Sequence, residues 1–140
     1  MHIRRANLES LRTQLQALPD FAGVWIQRIG PVRNSYPCIT LYSESETVEY
    51  LTFQRSPRPQ ERTQNVSVNI WVRGTTDDEK AEIDMDNFAL AVEAILSQPD
   101  KSSAMQLVAT DFKVAEDEPE LHVVTLTYHL NYFSTEFNLI

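Results

Sequence analysis

Residues 64–98 read QNVSVNIWVRGTTDDEKAEIDMDNFALAVEAILSQ, and this stretch decides the fold. Valine or isoleucine occupies every second position from 66 to 72, which predicts a strand with one apolar face. The threonine pair and the acids after it suit the start of a helix, and Pro99 marks its end. In between, apolar residues at spacings of three and four predict one buried stripe. The stripe consists of Ala81, Met85, Phe88, Ala89, Val92, Ile95 and Leu96.

The rest of the chain supplies a second helix and further strands. Leucines at positions 8, 11, 15 and 18 predict an N-terminal helix over residues 3–18. The polar triplet at residues 44–46 indicates a hairpin turn between two short strands. We therefore expect residues 1–140 to form a single α+β domain, with two helices packed on a mainly antiparallel or mixed sheet. Alternating side chains place strands at residues 23–29, 38–43, 47–53, 107–114 and 121–133.

Residues 54–62 (QRSPRPQER) form a basic, proline-containing stretch in an acidic protein. The prolines argue against regular strand pairing, so we expect an exposed, stiff loop. Either the loop is simply solvated, or its arginines contact a partner.

The net charge of −8 is divided unevenly along the chain. Residues 1–73 carry nine arginines and six acidic residues, whereas residues 74–140 carry three lysines and fourteen acidic residues. Either folding mixes the two halves, or a basic patch on one copy meets an acidic patch on the next in a head-to-tail contact. The overall acidity argues against tight DNA binding, which depends on lysine and arginine at the phosphate backbone.

The sequence carries no recognisable catalytic, cofactor-binding or metal-binding pattern, so we expect no enzyme, no cofactor and no metal. His2 is expected at a mobile chain end, and His122 and His129 should point to opposite faces of one strand. The single cysteine, Cys38, is expected to be a small buried hydrophobic residue in a reducing compartment. No stretch approaches the ~20 apolar residues of a membrane span, and we expect neither membrane insertion nor an export signal.

The order of these features resembles the tail terminators of long-tailed bacteriophages, the minor tail protein U type, also called tail completion proteins. The resemblance includes the N-terminal helix, the aromatic strand at residues 23–29, the proline-led strand at residues 37–41 and the long loop after it. It continues through the alternating strand at residues 66–72, the acidic helix and the final strand, TLTYHLNYFSTE, at residues 125–136. It spans nearly the whole chain but includes no binding or catalytic motif.

The resemblance implies a structural protein of the virion, made in the host cytoplasm. Such proteins form a hexameric ring on the head-proximal end of the tail tube, stop its polymerisation and offer a surface for the head. The implied partners are further copies of the chain, the tail tube protein and the head–tail connector protein. DNA would only pass non-specifically through the channel. Another connector or head-completion protein, or a non-viral small binding domain, remains the alternative.

Two hypotheses assign residues to such a ring. In the first, the acidic face of the central helix borders a channel that repels DNA. In the second, that face meets the arginines of residues 54–62 on the next subunit. The candidate arginines are Arg55, Arg58 and Arg62, and the candidate acids are Asp78, Glu82, Asp86 and Glu93.

Overall fold

Two helices and five strands make up the computed structural model, which describes residues 2–27, 30–31, 35–51, 57–74, 78–96, 104–115 and 120–135. The strands form one sheet in the order β1-β2-β3-β5-β4. Strand β1 runs parallel to β2, and the other neighbours are antiparallel, so the sheet is mixed and the α+β prediction is confirmed. The elements are α1 (Ile3–Leu15), β1 (Val24–Ile26), β2 (Cys38–Tyr50), β3 (Pro59–Arg73), α2 (Asp78–Leu96), β4 (Ala104–Val114) and β5 (Leu121–Thr135).

Both helices pack on the same face of the sheet, and the core lies between them and the strands. The apolar residues of β3 alternate as predicted, and Val66, Val68 and Ile70 are fully buried. The stripe on α2 is confirmed as well, because five of its seven residues are buried and Phe88 and Ile95 pack at its margin. Cys38 is fully buried, as expected. Neither α1 nor α2 has the combination of length and apolar character that a membrane-crossing helix needs.

The predicted hairpin turn at residues 44–46 is wrong. Strand β2 continues through these residues and pairs with β3 along its whole length, with a β-bulge between Ser43 and Ser45. The bulge accommodates the extra residue without ending the strand. Residues 44–46 do not form a solvent-exposed turn. The Glu46 carboxylate instead accepts hydrogen bonds from Arg62 and Tyr132 within the sheet.

The predicted loop at residues 54–62 is wrong in its second half, because β3 already begins at Pro59. Proline fits the first position of a strand, where its missing N–H is not required. Pro59 contributes only its carbonyl oxygen, which accepts a hydrogen bond of 3.0 Å from the Leu51 amide. Residues 54–56 lie outside the described ranges.

Helix α1 ends at Leu15, three residues earlier than predicted, and His2 begins it. The Nδ1 atom of His2 accepts a hydrogen bond of 3.0 Å from the Arg4 amide, and its carbonyl oxygen accepts from Arg5 and Ala6. His2 is therefore the N-cap of α1. The proposed threonine cap of α2 lies outside the described residues.

Candidate assembly surface

The sheet continues past β1 as an arm that has three strands at its tip and four at its base, where residues 104–106 of β4 pair with residues 129–131 of β5. The three strands are residues 45–50 of β2, 59–65 of β3 and 129–135 of β5. Tyr50 pairs with Gln60, which pairs with Ser134, so the connection between β2 and β3 lies at the tip of the arm. Strand β1 pairs only with residues 39–41, so along the arm no described strand pairs with the side of β2 that faces away from β3. This side of β2 is therefore a strand edge that is open to pairing with another molecule.

A buried ionic cluster fixes the base of the arm. The Glu46 side chain is 5% exposed and accepts hydrogen bonds from Arg62 at 2.9 Å, from Arg4 at 3.3 Å and from the Tyr132 hydroxyl. Burial, together with the hydrogen bond to Glu46, raises the pKa of Tyr132 to about 12. One carboxylate thus holds together β2, β3, β5 and the start of α1.

Amide side chains extend this cluster in both directions. Gln60 accepts two hydrogen bonds from the Arg62 guanidinium, at 3.0 and 3.1 Å. Gln64 is fully buried, accepts a hydrogen bond from Asn7 and donates to Ser43 and to the Arg4 carbonyl. Because these bonds link α1 to the sheet, the arm cannot swing freely about its base.

The tip of the arm combines apolar surface with positive charge. Val48, Tyr50 and Leu51 are each more than 40% exposed, which is unusual for large apolar side chains so close together. The Arg58 guanidinium lies over the Tyr50 ring, 4.0 Å from its centroid. This cation–π contact holds the charge beside the apolar side chains. We call Val48, Tyr50, Leu51 and Arg58 the arm tip.

The candidate acids lie along one flank of α2. Glu82, Asp86 and Glu93 follow one another at intervals of four and seven residues, which places them on one line of a helix. Glu82 and Asp86 are exposed, and Glu93 is partly buried. No hydrogen bond or ion pair joins these three carboxylates to any residue that the structure describes. Their charge is therefore not neutralised within the described chain.

The acidic flank faces the β4 side of the sheet. Asp84 and Phe88, on the opposite flank of α2, line a cavity of about 510 Å³ together with Pro37 at the start of β2. Burial raises the pKa of Tyr128 on β5, and the nearby Glu93 carboxylate raises it further. Strand β5 lies between β3 and the edge strand β4. The flank of α2 that carries Glu93 therefore lies over the β5–β4 side of the sheet.

Strand β4 leaves apolar side chains uncovered beside this flank. Phe112 pairs with Val124 and Val114 with His122, so both point to the face that carries the helices. Phe112 is 53% exposed and Val114 is 50% exposed. Strand β4 is at the edge of the sheet, and its outer side pairs with nothing in the described ranges. We call Glu82, Asp86, Glu93, Phe112 and Val114 the acidic trough.

The structure separates the candidate residues into different environments. Arg62 is committed to Glu46, whereas Arg58 is at the tip and Arg55 lies outside the described residues. Asp78 begins α2, but the position of its side chain is outside the description. The arginines and the acids are not brought together within one chain. The sequence pattern did not identify Glu46 and Tyr132 as partners. The only sign of the ionic cluster was that Glu44 and Glu46 interrupt the apolar alternation of β2.

A separate cavity of about 330 Å³ lies between the start of α1 and the bulge in β2. His2, Arg4 and Glu46 are among its lining residues. The His2 Nε2 atom is buried and has no hydrogen-bond partner in the described chain. Burial and the nearby Arg4 lower the pKa of His2. The described residues contain no group of three side chains suited to a metal ion.

Comparison with known proteins adds no family assignment. No protein-family model matches the chain, and no curated protein matches it.

Proposed function

We propose that this protein is a structural component of a phage virion that forms a ring on the head-proximal end of the tail tube. The ring ends tube polymerisation and provides the surface to which the head attaches. The partners are further copies of the chain, the tail tube protein and the head–tail connector protein. DNA passes through the ring without specific contacts.

One observation carries this proposal. The chain presents an apolar arm tip that carries Arg58 at one end of β3, and exposed apolar residues of β4 with an acidic flank of α2 towards the other end. Surfaces that are complementary but different generate head-to-tail contacts, and such contacts close into rings when the rotation between copies permits. The resemblance of the element order to tail terminators supplies the location of that ring.

A second candidate function is small-ligand binding, which the cavity beside α1 favours. The cavity presents two arginines and a buried histidine nitrogen without a partner among the described residues. A ligand retained through purification and detected at one equivalent by native mass spectrometry would support this function.

The deciding experiment is electron microscopy of particles assembled with and without the protein. We expect its deletion to leave free heads beside tails that are overlong or ragged at the head-facing end. Supplying the protein from a plasmid should restore joined particles. Normal particles after deletion would refute the proposal, and so would the protein's absence from purified particles.

A further inference from the structure

We infer that the arm tip of one copy docks in the acidic trough of the next, alongside the free edge of β4. The inference rests on the proposed function only in taking a second copy as the occupant. It names the residues that join neighbouring subunits, and it replaces the set of three arginines with Arg58 and the apolar side chains beside it.

Arg58 is opposite in charge to the carboxylates of the trough, and both surfaces expose large apolar side chains. Glu49 and Glu61 pair with each other on the other face of the arm from Val48 and Tyr50. The tip offers Val48, Tyr50 and Leu51 with the Arg58 guanidinium beside them. The trough offers exposed Phe112 and Val114, on the sheet face that carries the helices, and three α2 carboxylates that have no ion-pair partner among the described residues. Docking would cover large apolar side chains on both partners and bring opposite charges together. Complementary charge favours encounter in one orientation, and apolar burial supplies the stability.

The tip cannot reach the trough of its own chain. Tyr50 at the tip pairs with Gln60, whereas Phe112 in the trough is level with Val124, which pairs with Ile70. Gln60 and Ile70 are ten residues apart on β3, a span of about 33 Å at the rise of an antiparallel strand. The ionic cluster at Glu46 holds the arm in place at its base. The occupant of the trough is therefore another molecule, and a second copy carries the fitting tip.

Backbone pairing can add to this contact. Among the described residues, no strand pairs with the outer side of β2 beyond residue 41, where the Ser43 amide donates to the Gln27 side chain, and none pairs with the outer side of β4. Two open edges that meet can extend a sheet from one chain into the next. The docked tip would thus be held by apolar contacts, charge and strand pairing together.

Charge exchange tests the contact in the full-length protein. We expect Arg58→Glu and Asp86→Arg each to weaken self-association by at least about tenfold in sedimentation velocity, because each places like charges together. Combining both changes should restore part of the association, because the attraction between positions 58 and 86 returns with its signs exchanged, while Glu82 and Glu93 still repel the new carboxylate at position 58. The matched control is Arg73→Glu, which alters an exposed arginine that also lies near an aromatic ring, 6.0 Å from that of Tyr36, but outside the arm.

Disulfide trapping gives a second readout that does not depend on affinity. A chain with Leu51→Cys and Asp86→Cys should form a ladder of covalent oligomers on oxidation, and reduction should collapse it. Leu51→Cys with Asp20→Cys is the control, because Asp20 lies outside the trough and should give no ladder. The absence of a ladder from the first variant would overturn the inference, whether the protein is monomeric or associates through other surfaces.

The two proposals fail in different ways. Tails that are correctly terminated by Arg58→Glu protein would refute the docking contact and leave the proposed function intact. Conversely, a specific ladder together with normal particles after deletion would refute the function and leave the contact intact.

Discussion

Tyr128 and Tyr132 lie four residues apart on the same face of β5, and we predict that removing their hydroxyl groups changes stability in opposite directions. Both side chains are buried. The Tyr132 hydroxyl donates to Glu46, whereas the Tyr128 hydroxyl has no partner in the described chain. A buried polar group without a partner costs about 1–3 kcal/mol, and a hydrogen bond to a charged group contributes about 1.5–3 kcal/mol.

From these magnitudes, Tyr128→Phe should raise the free energy of unfolding by about 1 kcal/mol, and Tyr132→Phe should lower it by about 2 kcal/mol. For a domain of this size each kcal/mol corresponds to roughly 4 °C in the melting temperature. The two variants should therefore melt on opposite sides of the unaltered protein. Each substitution removes one oxygen atom from the same residue type on the same strand face, so each controls for the other.

Urea denaturation followed by tryptophan fluorescence measures both values, with Trp25 and Trp71 as reporters. The slope of the unfolding free energy against urea should stay unchanged, since neither substitution alters the surface exposed on unfolding. A loss of 1 kcal/mol or more in Tyr128→Phe would refute the reasoning, because it would show that this hydroxyl makes a favourable hydrogen bond in the native protein.

Three further predictions concern the ionic cluster and the helix cap. Because the folded pKa of Tyr132 is about 12 and the unfolded value is about 10, stability should fall as pH rises from 10 to 12. Tyr132→Phe should reduce that fall in alkaline melts but not abolish it, because the raised pKa of Tyr128 contributes to the same fall. Since the pKa of His2 is lowered in the fold, stability should decline below about pH 6.5, where protonation of Nδ1 also removes the hydrogen bond that caps α1. His2→Asn should abolish this decline in thermal melts, because asparagine caps a helix at any pH. Glu46→Gln should lower the free energy of unfolding by about 3 kcal/mol in urea titrations, because it leaves Arg62 buried without its counter-charge. The control Glu49→Gln, at an exposed position, should lower it by less than about 0.5 kcal/mol.

Periodicity predicted the parts of the fold that depend on nearest neighbours in sequence. The alternation in β3 and β5 and the stripe on α2 were sufficient to place the central strands and the helix over them. These patterns are local, and burial of the apolar side is their direct consequence. The sequence also separated the apolar face of β5 correctly from the side that carries His129.

The arm could not be predicted in this way because long-range contacts decide it. A glutamate pair beside a serine is typical of a turn, but Glu46 binds Arg62, 16 residues away, and Tyr132, 86 residues away. Those partners allow a charged side chain to be buried within a strand. Likewise, prolines usually exclude strand pairing, and Pro59 is accommodated only because it occupies the first position of β3. No local pattern distinguishes these cases.

The arginines of residues 54–62 look interchangeable in sequence, but their positions in the fold differ. Arg62 lies at the base of the arm, where its side chain is 12% exposed and bonded to Glu46 and Gln60. Arg58 precedes β3 at the tip, where its charge is held over Tyr50. Reversing all three arginines at once would therefore break the ionic cluster as well as alter the surface, and loss of assembly would not identify an interface. Reversing Arg58 alone leaves the cluster intact, so a change in self-association can be attributed to the arm tip.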